Sequence, residues 1–246
     1  MFPATLAPPQ AEELEYPHYG EPVPEHQINA DQRADTIFSL RDYFREASDL
    51  YIHGDLFIYY EQGNRAACVA PDIFVVRGVS KRIRRTYLLW REGKVPDVVI
   101  EITSDATHEQ DTGHKYALYE RLGVAEYFLY DPLGKHLAPT LQGYRLVDGQ
   151  YRRIEAQEGD RLRSGALGLE LGVVDGWLRL WDPRRGTWLP TAVETAAARR
   201  QAEARASDAE ARALQEAASR QDAEARAAAA EAELARLRAL LQQGQE

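Results

Sequence analysis

One cysteine, Cys68, stands among 246 residues, which excludes an internal disulfide and any cysteine-built zinc cluster. Lysine is scarce as well. Lys81, Lys94, Lys115 and Lys135 are the whole set, and arginine supplies the rest of the positive charge. A lysine inside a patterned stretch is therefore hard to dismiss as generic surface charge. Positive charge as such is in deficit, with a net charge of −9. The chain as a whole is no basic nucleic-acid binder, and a polyanion would have to be met by a local patch. No apolar run approaches the roughly 20 residues that cross a bilayer, so no membrane partner is expected. The opening Met-Phe-Pro-Ala-Thr-Leu-Ala-Pro-Pro lacks the basic and apolar regions of a signal peptide. A reducing, cytoplasmic setting is the expectation.

Hydrophobic residues make up 44% of the chain, enough for a core. Three regions are expected: an N-terminal arm over 1–28, an α/β domain over 29–189, and a helical tail over 190–246. The arm is rich in Pro and Glu and shows no period. Ile37, Leu40, Tyr43 and Phe44 recur at helical spacing, so a helix is predicted over 30–44, with Asp31 as N-cap and Arg33, Asp35 and Arg41 outward. Residues 50–60 read as one interior strand and 67–77 as a second, with Asp72 at its midpoint. A strand over 97–104 and a helix over 109–122, stopped by Gly123, follow. The next strand covers 125–130. Strand, helix, strand implies a parallel crossover. Beyond Gly134, short strands and turns are read as an edge extension of the sheet, including a hairpin about Asp148-Gly149.

The stretch from Val95 to Lys115 carries the chemistry. Strand alternation puts Asp97, Val99, Glu101 and Thr103 on one side and Val98, Ile100 and Ile102 on the other. A glutamate amid Val and Ile is costly to bury without a partner. Lys115 shares a helical stripe with Leu118, Tyr119 and Leu122, which turns it toward the sheet. Asp72 lies on the probable partner strand. Two carboxylates and an ammonium at one place suit an oxygen-liganded divalent cation, magnesium before others. They suit equally a buried structural ion pair, and Asp72 and Asp97, each following a proline, could cap turns. Asp97 is the weaker third ligand, with Glu25 and Asp55 as outlying acidic members. His108 and His114 show no metal spacing and read as loop or helix-surface residues. A basic run, Arg77, Lys81, Arg82, Arg84 and Arg85, is interleaved with Tyr87 and Trp90. It reads either as a solvated connection or as a phosphate-contacting patch.

The segments Ala-Pro-Asp-Ile-Phe-Val-Val (70–76), Pro-Asp-Val-Val-Ile-Glu-Ile-Thr-Ser (96–104), Asp111 to Tyr119, and Gly-Val-Ala-Glu-Tyr-Phe-Leu-Tyr-Asp-Pro (123–132) resemble the Uma-two family. That family belongs to the PD-(D/E)XK nuclease superfamily, and the resemblance spans about residues 20–185. It implies a restriction-endonuclease-like αβββαβ core with a mixed sheet, and Mg²⁺-dependent hydrolysis of DNA, Mn²⁺ being an alternative. Asp72 and Glu101 would be metal carboxylates, and Lys115 the catalytic lysine displaced from Thr103, where the family pattern expects it. Lys81, Arg82, Arg84 and Arg85 would contact phosphates. The alternative is an inactive nuclease fold serving as a scaffold.

From about Thr191 the composition turns to Ala, Glu, Arg and Gln, and Glu-Ala-Arg recurs at 203, 210 and 224. A heptad seam through Ala206, Ala213, Ala227, Leu234 and Leu241, broken by Glu216 and Arg220, suggests a coiled coil and a homo-oligomer. The nuclease domain offers a second route to self-assembly.

Overall fold

The structure is a computed structural model describing residues 16–17 and 27–243, with side chains described as far as Arg236. Of the expected arm over 1–28, Tyr16 packs on Tyr59 and Trp90 at ring separations of 4.8 and 5.3 Å. Glu25 and most of that arm lie outside the described residues. The chain forms two compact units, residues 1–192 and 193–246.

The first unit opens with α1 (Gln27–Tyr43), followed by β1 (Leu50–His53), β2 (Ile58–Tyr59), β3 (Cys68–Val69) and β4 (Ile73–Arg77). After β5 (Tyr87–Leu88) and the single turn α2 (Leu89–Glu92) comes β6 (Val98–Ile102). A π-helical segment, Gln110–Lys115, runs into α3 (Tyr116–Leu122) and then β7 (Glu126–Tyr130). β8 (Leu141–Val147) and β9 (Gln150–Arg153) form the expected hairpin, with Asp148 and Gly149 at φ 52° and 77°, the signs a tight two-residue turn requires. β10 (Leu162–Ser164), β11 (Leu169–Val174), β12 (Trp177–Asp182) and β13 (Thr187–Trp188) complete the unit.

The main sheet runs β1-β4-β6-β7-β8-β9. Its single parallel pair is β6–β7, joined by the helical crossover, and the remaining pairs are antiparallel. α1, β1, β4, β6, α3 and β7 together make the αβββαβ core of a restriction-endonuclease-like fold. Alternation along the strands fills both faces. Ile73, Val75, Val98, Ile100 and Ile102 pack with Leu40 of α1 and with Leu169, Leu171, Leu178 and Leu180. Phe74, Val76, Val99, Tyr127 and Leu129 pack with Leu118 and Tyr119 of α3.

Several expectations are corrected. Residues 50–60 are two strands, broken at Gly54-Asp55, where Asp55 takes φ 54°. Residues 67–77 are also two, broken at Ala70-Pro71-Asp72; proline supplies no ladder N–H. β2, β3 and β5 form their own three-stranded sheet. β10 to β13 likewise form a separate four-stranded sheet rather than an edge extension, burying Leu169 and Leu171 against the main sheet's first face. In α1, Asp31 lies inside the helix rather than at its cap, and the buried face is largely polar. Asn29 donates to the carbonyl of Ile102, and the Gln32 side-chain oxygen accepts from the N–H of Leu178. Arg33 is half-buried and turned to Asp72 rather than outward, while Arg41 is exposed as expected and donates to the carbonyl of Ile52.

The second unit is α4 (Ala192–Gln243), 52 residues of strong helix formers. Its side chains from Ala196 to Arg236 are exposed, and i,i+4 pairs such as Arg199–Glu203 line its surface. Leu237 and Leu241, the expected end of the heptad seam, fall where side chains are not described. No described helix is long and apolar enough to cross a membrane.

Candidate active site

Register brings the two carboxylates together. Ile73 faces Ile100 across the β4–β6 ladder, so one step further Asp72 faces Glu101. The two form a closed motif with the backbone. The N–H of Asp72 donates to Glu101 Oε2 at 3.2 Å, and the N–H of Ile102 donates to Asp72 Oδ2 at 2.8 Å. Glu101 is 0% exposed, and like charges directly opposite in a sheet repel. The repulsion is offset from the helix above. Lys115 Nζ lies 3.0 Å from Glu101 Oε2, and the Tyr119 hydroxyl donates to Glu101 Oε1 at 2.8 Å.

Asp72, Glu101 and Lys115 thus converge as the sequence pattern predicts. Asp97 does not join them. It sits at the opposite end of β6, accepting from the N–H of Arg77 at 2.6 Å and pairing with Lys94 at 3.5 Å. The parity that put it on Glu101's face is correct, but the strand length separates the two. Thr103, where the lysine was expected, is buried, and its hydroxyl meets no partner among the described residues.

Three neighbours were missed. Asp111 is fully buried, with Oδ1 2.9 Å from Lys115 Nζ and, among the described residues, no donor on Oδ2. Its i,i+4 spacing to Lys115 was the available signal. Tyr119 was assigned to packing alone, although a buried tyrosine needs a partner for its hydroxyl. Arg33 reaches Asp72 Oδ1 at 3.5 Å from α1, a tertiary contact with no sequence signature. The Asp111–Lys115 turn is π-helical, a form that clusters at functional sites.

Burial, reinforced by the Asp72 and Asp111 carboxylates, pushes Glu101 up to about 8 against the pull of Lys115 and Tyr119. Burial alone would lower Lys115, but Glu101 and Asp111 outweigh it and hold its ammonium above the usual lysine range. The ammonium therefore stays charged, and Glu101 is a weaker acid than an ordinary glutamate. Asp72 Oδ1, whose contact among the described residues is Arg33 at 3.5 Å, is the oxygen left for a cation. Among the described residues, no three His, Cys, Asp or Glu side chains converge to hold an ion. A site of two carboxylates with water completing the shell is what Mg²⁺ accepts.

The basic run is more deeply engaged than expected. Arg84 is buried, paired with Glu92 at 2.8 Å, bonded to the carbonyls of Ser80 and Arg82, and laid over the Tyr51 ring at 4.3 Å. It is not a free phosphate contact, because its donors are already spent. Arg82 also pairs with Glu92, at 2.5 Å, while Lys81 donates to the carbonyls of Phe44 and Arg45. Arg85 is half-buried. His108 stands half-buried on the helical turn, stacking on His136 at 4.0 Å, and His114 is exposed. Asp55 donates its N–H to the carbonyl of Pro71 as part of the strand break beside Asp72.

Residues 4–179 match the model of a family described as "Uma2: Putative restriction endonuclease". No curated protein matches the chain. Among solved structures, the chain is similar to "a putative nuclease belonging to DUF820" from Anabaena variabilis, at 15% identity and a TM-score of 0.44, over 59% of this chain and 76% of that one.

Proposed function

The chain belongs to the Uma2 family, and from that footing we propose that it is a metal-dependent nuclease hydrolysing DNA phosphodiester bonds. The observation that carries this reading is the convergence of Asp72, Glu101 and Lys115 at one end of the β4–β6 ladder. Asp72 and Glu101 would hold the cation, Mg²⁺ or Mn²⁺, which when bound supplies Lewis-acid polarisation of the phosphate and of an attacking water. The chain's own residues do the rest. Asp72 would offer Oδ1, and Glu101 the second carboxylate. Asp111 keeps hold of the Lys115 ammonium while Glu101 is engaged. Lys115 stabilises the negative charge that develops on the phosphate oxygens. Tyr119 fixes the Glu101 carboxylate by its hydroxyl. Lys81, Arg82 and Arg85 meet flanking phosphates, with Arg84 contributing charge from beneath them.

The second reading is a nuclease fold without activity, assembling through α4. Thr103 in the lysine position favours it, as does a Glu101 whose two oxygens both already have protein donors. Plasmid nicking with Mg²⁺ or Mn²⁺, with EDTA, and with Glu101→Ala separates the two. The expected outcome is metal-dependent nicking abolished by the substitution. Nicking that survives Glu101→Ala overturns the site, and no nicking together with no metal binding by calorimetry favours the scaffold.

A further inference from the structure

A cleft of about 500 Å³ runs along β1, the edge strand of the main sheet. Its lining includes Arg41 and Arg45 from the end of α1, Lys81, Arg82 and Arg84 from the β4–β5 connection, and His53. No aspartate or glutamate is among the described lining residues. Among the described residues, Arg41 and Lys81 donate to backbone carbonyls, which leave their charge uncompensated. Arg82 and Arg84 share the single carboxylate of Glu92. Arg45 is 71% exposed, with distant pairs to Asp42 and Glu46 at 3.7 and 3.5 Å. In a chain of net charge −9, this is a concave, locally positive site, the form that focuses a field on an anion.

Its place on the sheet matters as much as its charge. His53 faces Phe74 across the β1–β4 ladder, on the face that carries Glu101. The next residue, Gly54, is pressed against the carbonyl of Asp72 so closely that a Cβ would lie 2.0 Å from that oxygen. Two strand spacings separate β1 from β6, so the cleft ends on the order of 10 Å from the carboxylates. Addition of a peptide strand to this edge is disfavoured, because Arg41 already occupies the Ile52 carbonyl with two N–H groups.

We propose that the cleft is a non-catalytic subsite gripping the phosphodiester backbone of a nucleic-acid strand that leads to the carboxylate site. The proposal rests on the nuclease reading and names the side of the domain from which substrate is held. Phosphates would be met chiefly by Arg45, Arg41 and Lys81, without reference to base sequence.

The test is anisotropy of a short fluorescein-labelled DNA duplex in EDTA, where cleavage is silent, over about 50 to 200 mM salt. Full-length protein, Arg45→Glu, Arg45→Lys and Arg152→Glu are compared, the last on β9 at the far edge of the same sheet. Arg45 is exposed enough that its variants fold, which melting curves verify. Arg45→Glu should weaken binding about tenfold and reduce the salt slope by about one, while Arg45→Lys stays near the parent protein. Equal effects from Arg45→Glu and Arg152→Glu, or none from Arg45→Glu, overturn the cleft and leave the carboxylate site standing. Absence of duplex binding by the parent protein also overturns the cleft, and plasmid nicking reports separately on Glu101.

Discussion

Glu101 sits 0% exposed between two other carboxylates, and its raised pKa makes it a pH-dependent element of stability. A carboxyl whose folded pKa is about 8 binds its proton more tightly when folded than when unfolded. Its contribution is fully present below the unfolded value near 4.3 and is lost as pH rises through the folded value. Cation-free protein should therefore melt at falling temperature between about pH 5 and 9. Glu101→Gln should flatten that slope, and an unchanged slope in thermal melts at matched ionic strength would contradict the assignment. Lys115 is the counterweight. Lys115→Met leaves Glu101 and Asp111 without a cation in a dry site and should cost about 3–5 kcal/mol in urea unfolding. A loss under about 1 kcal/mol would show that Lys115 does not balance the charge of this site. Glu101 and Lys115 could be picked from the sequence because strand parity and helix stripe are local rules. Asp111 and Arg33 could not be ranked, since their importance depends on which side chains end up within 4 Å of them.

At the scale of elements, the site is made by two strand breaks and one widened turn. Gly54 follows β1 where Asp72 precedes β4, and no side chain fits between them. Gly54→Ala must displace backbone, so it should destabilise by roughly 1–3 kcal/mol. It should also reduce metal-dependent nicking more than a surface substitution of equal cost does. Wild-type nicking rates in the folded variant would show that Asp72 need not be held there. The sequence shows these breaks only as a Gly-Asp pair and a Pro-Asp pair inside otherwise continuous β-prone runs. Propensity continues through them, and only the requirement that β2 and β3 join a second sheet decides that the chain turns. The π-helical turn before α3 is equally silent, because its residues would suit an ordinary helix.

For the whole molecule, the division into two compact units, residues 1–192 and 193–246, predicts that the first folds without the second. Truncation after Pro190 should leave the melting transition and metal-dependent nicking of the first unit intact. It should lower the mass measured by light scattering from an oligomer to a monomer, and an unchanged mass would exclude assembly through α4. Composition alone divides this chain into an α/β body and an Ala-, Glu- and Arg-rich helix. Period-two alternation alone determines which residues of β4, β6 and β7 share a face, and the family motifs mark the carboxylates. These are short-range properties that every local window of sequence carries. What the tertiary structure alone decided is the separation of the strands into three sheets, the withdrawal of Arg84 and Asp97 to structural partners, and the arrival of Asp111 and Arg33 at the site. Those depend on long-range packing, where a polar side chain goes wherever a buried partner can satisfy it.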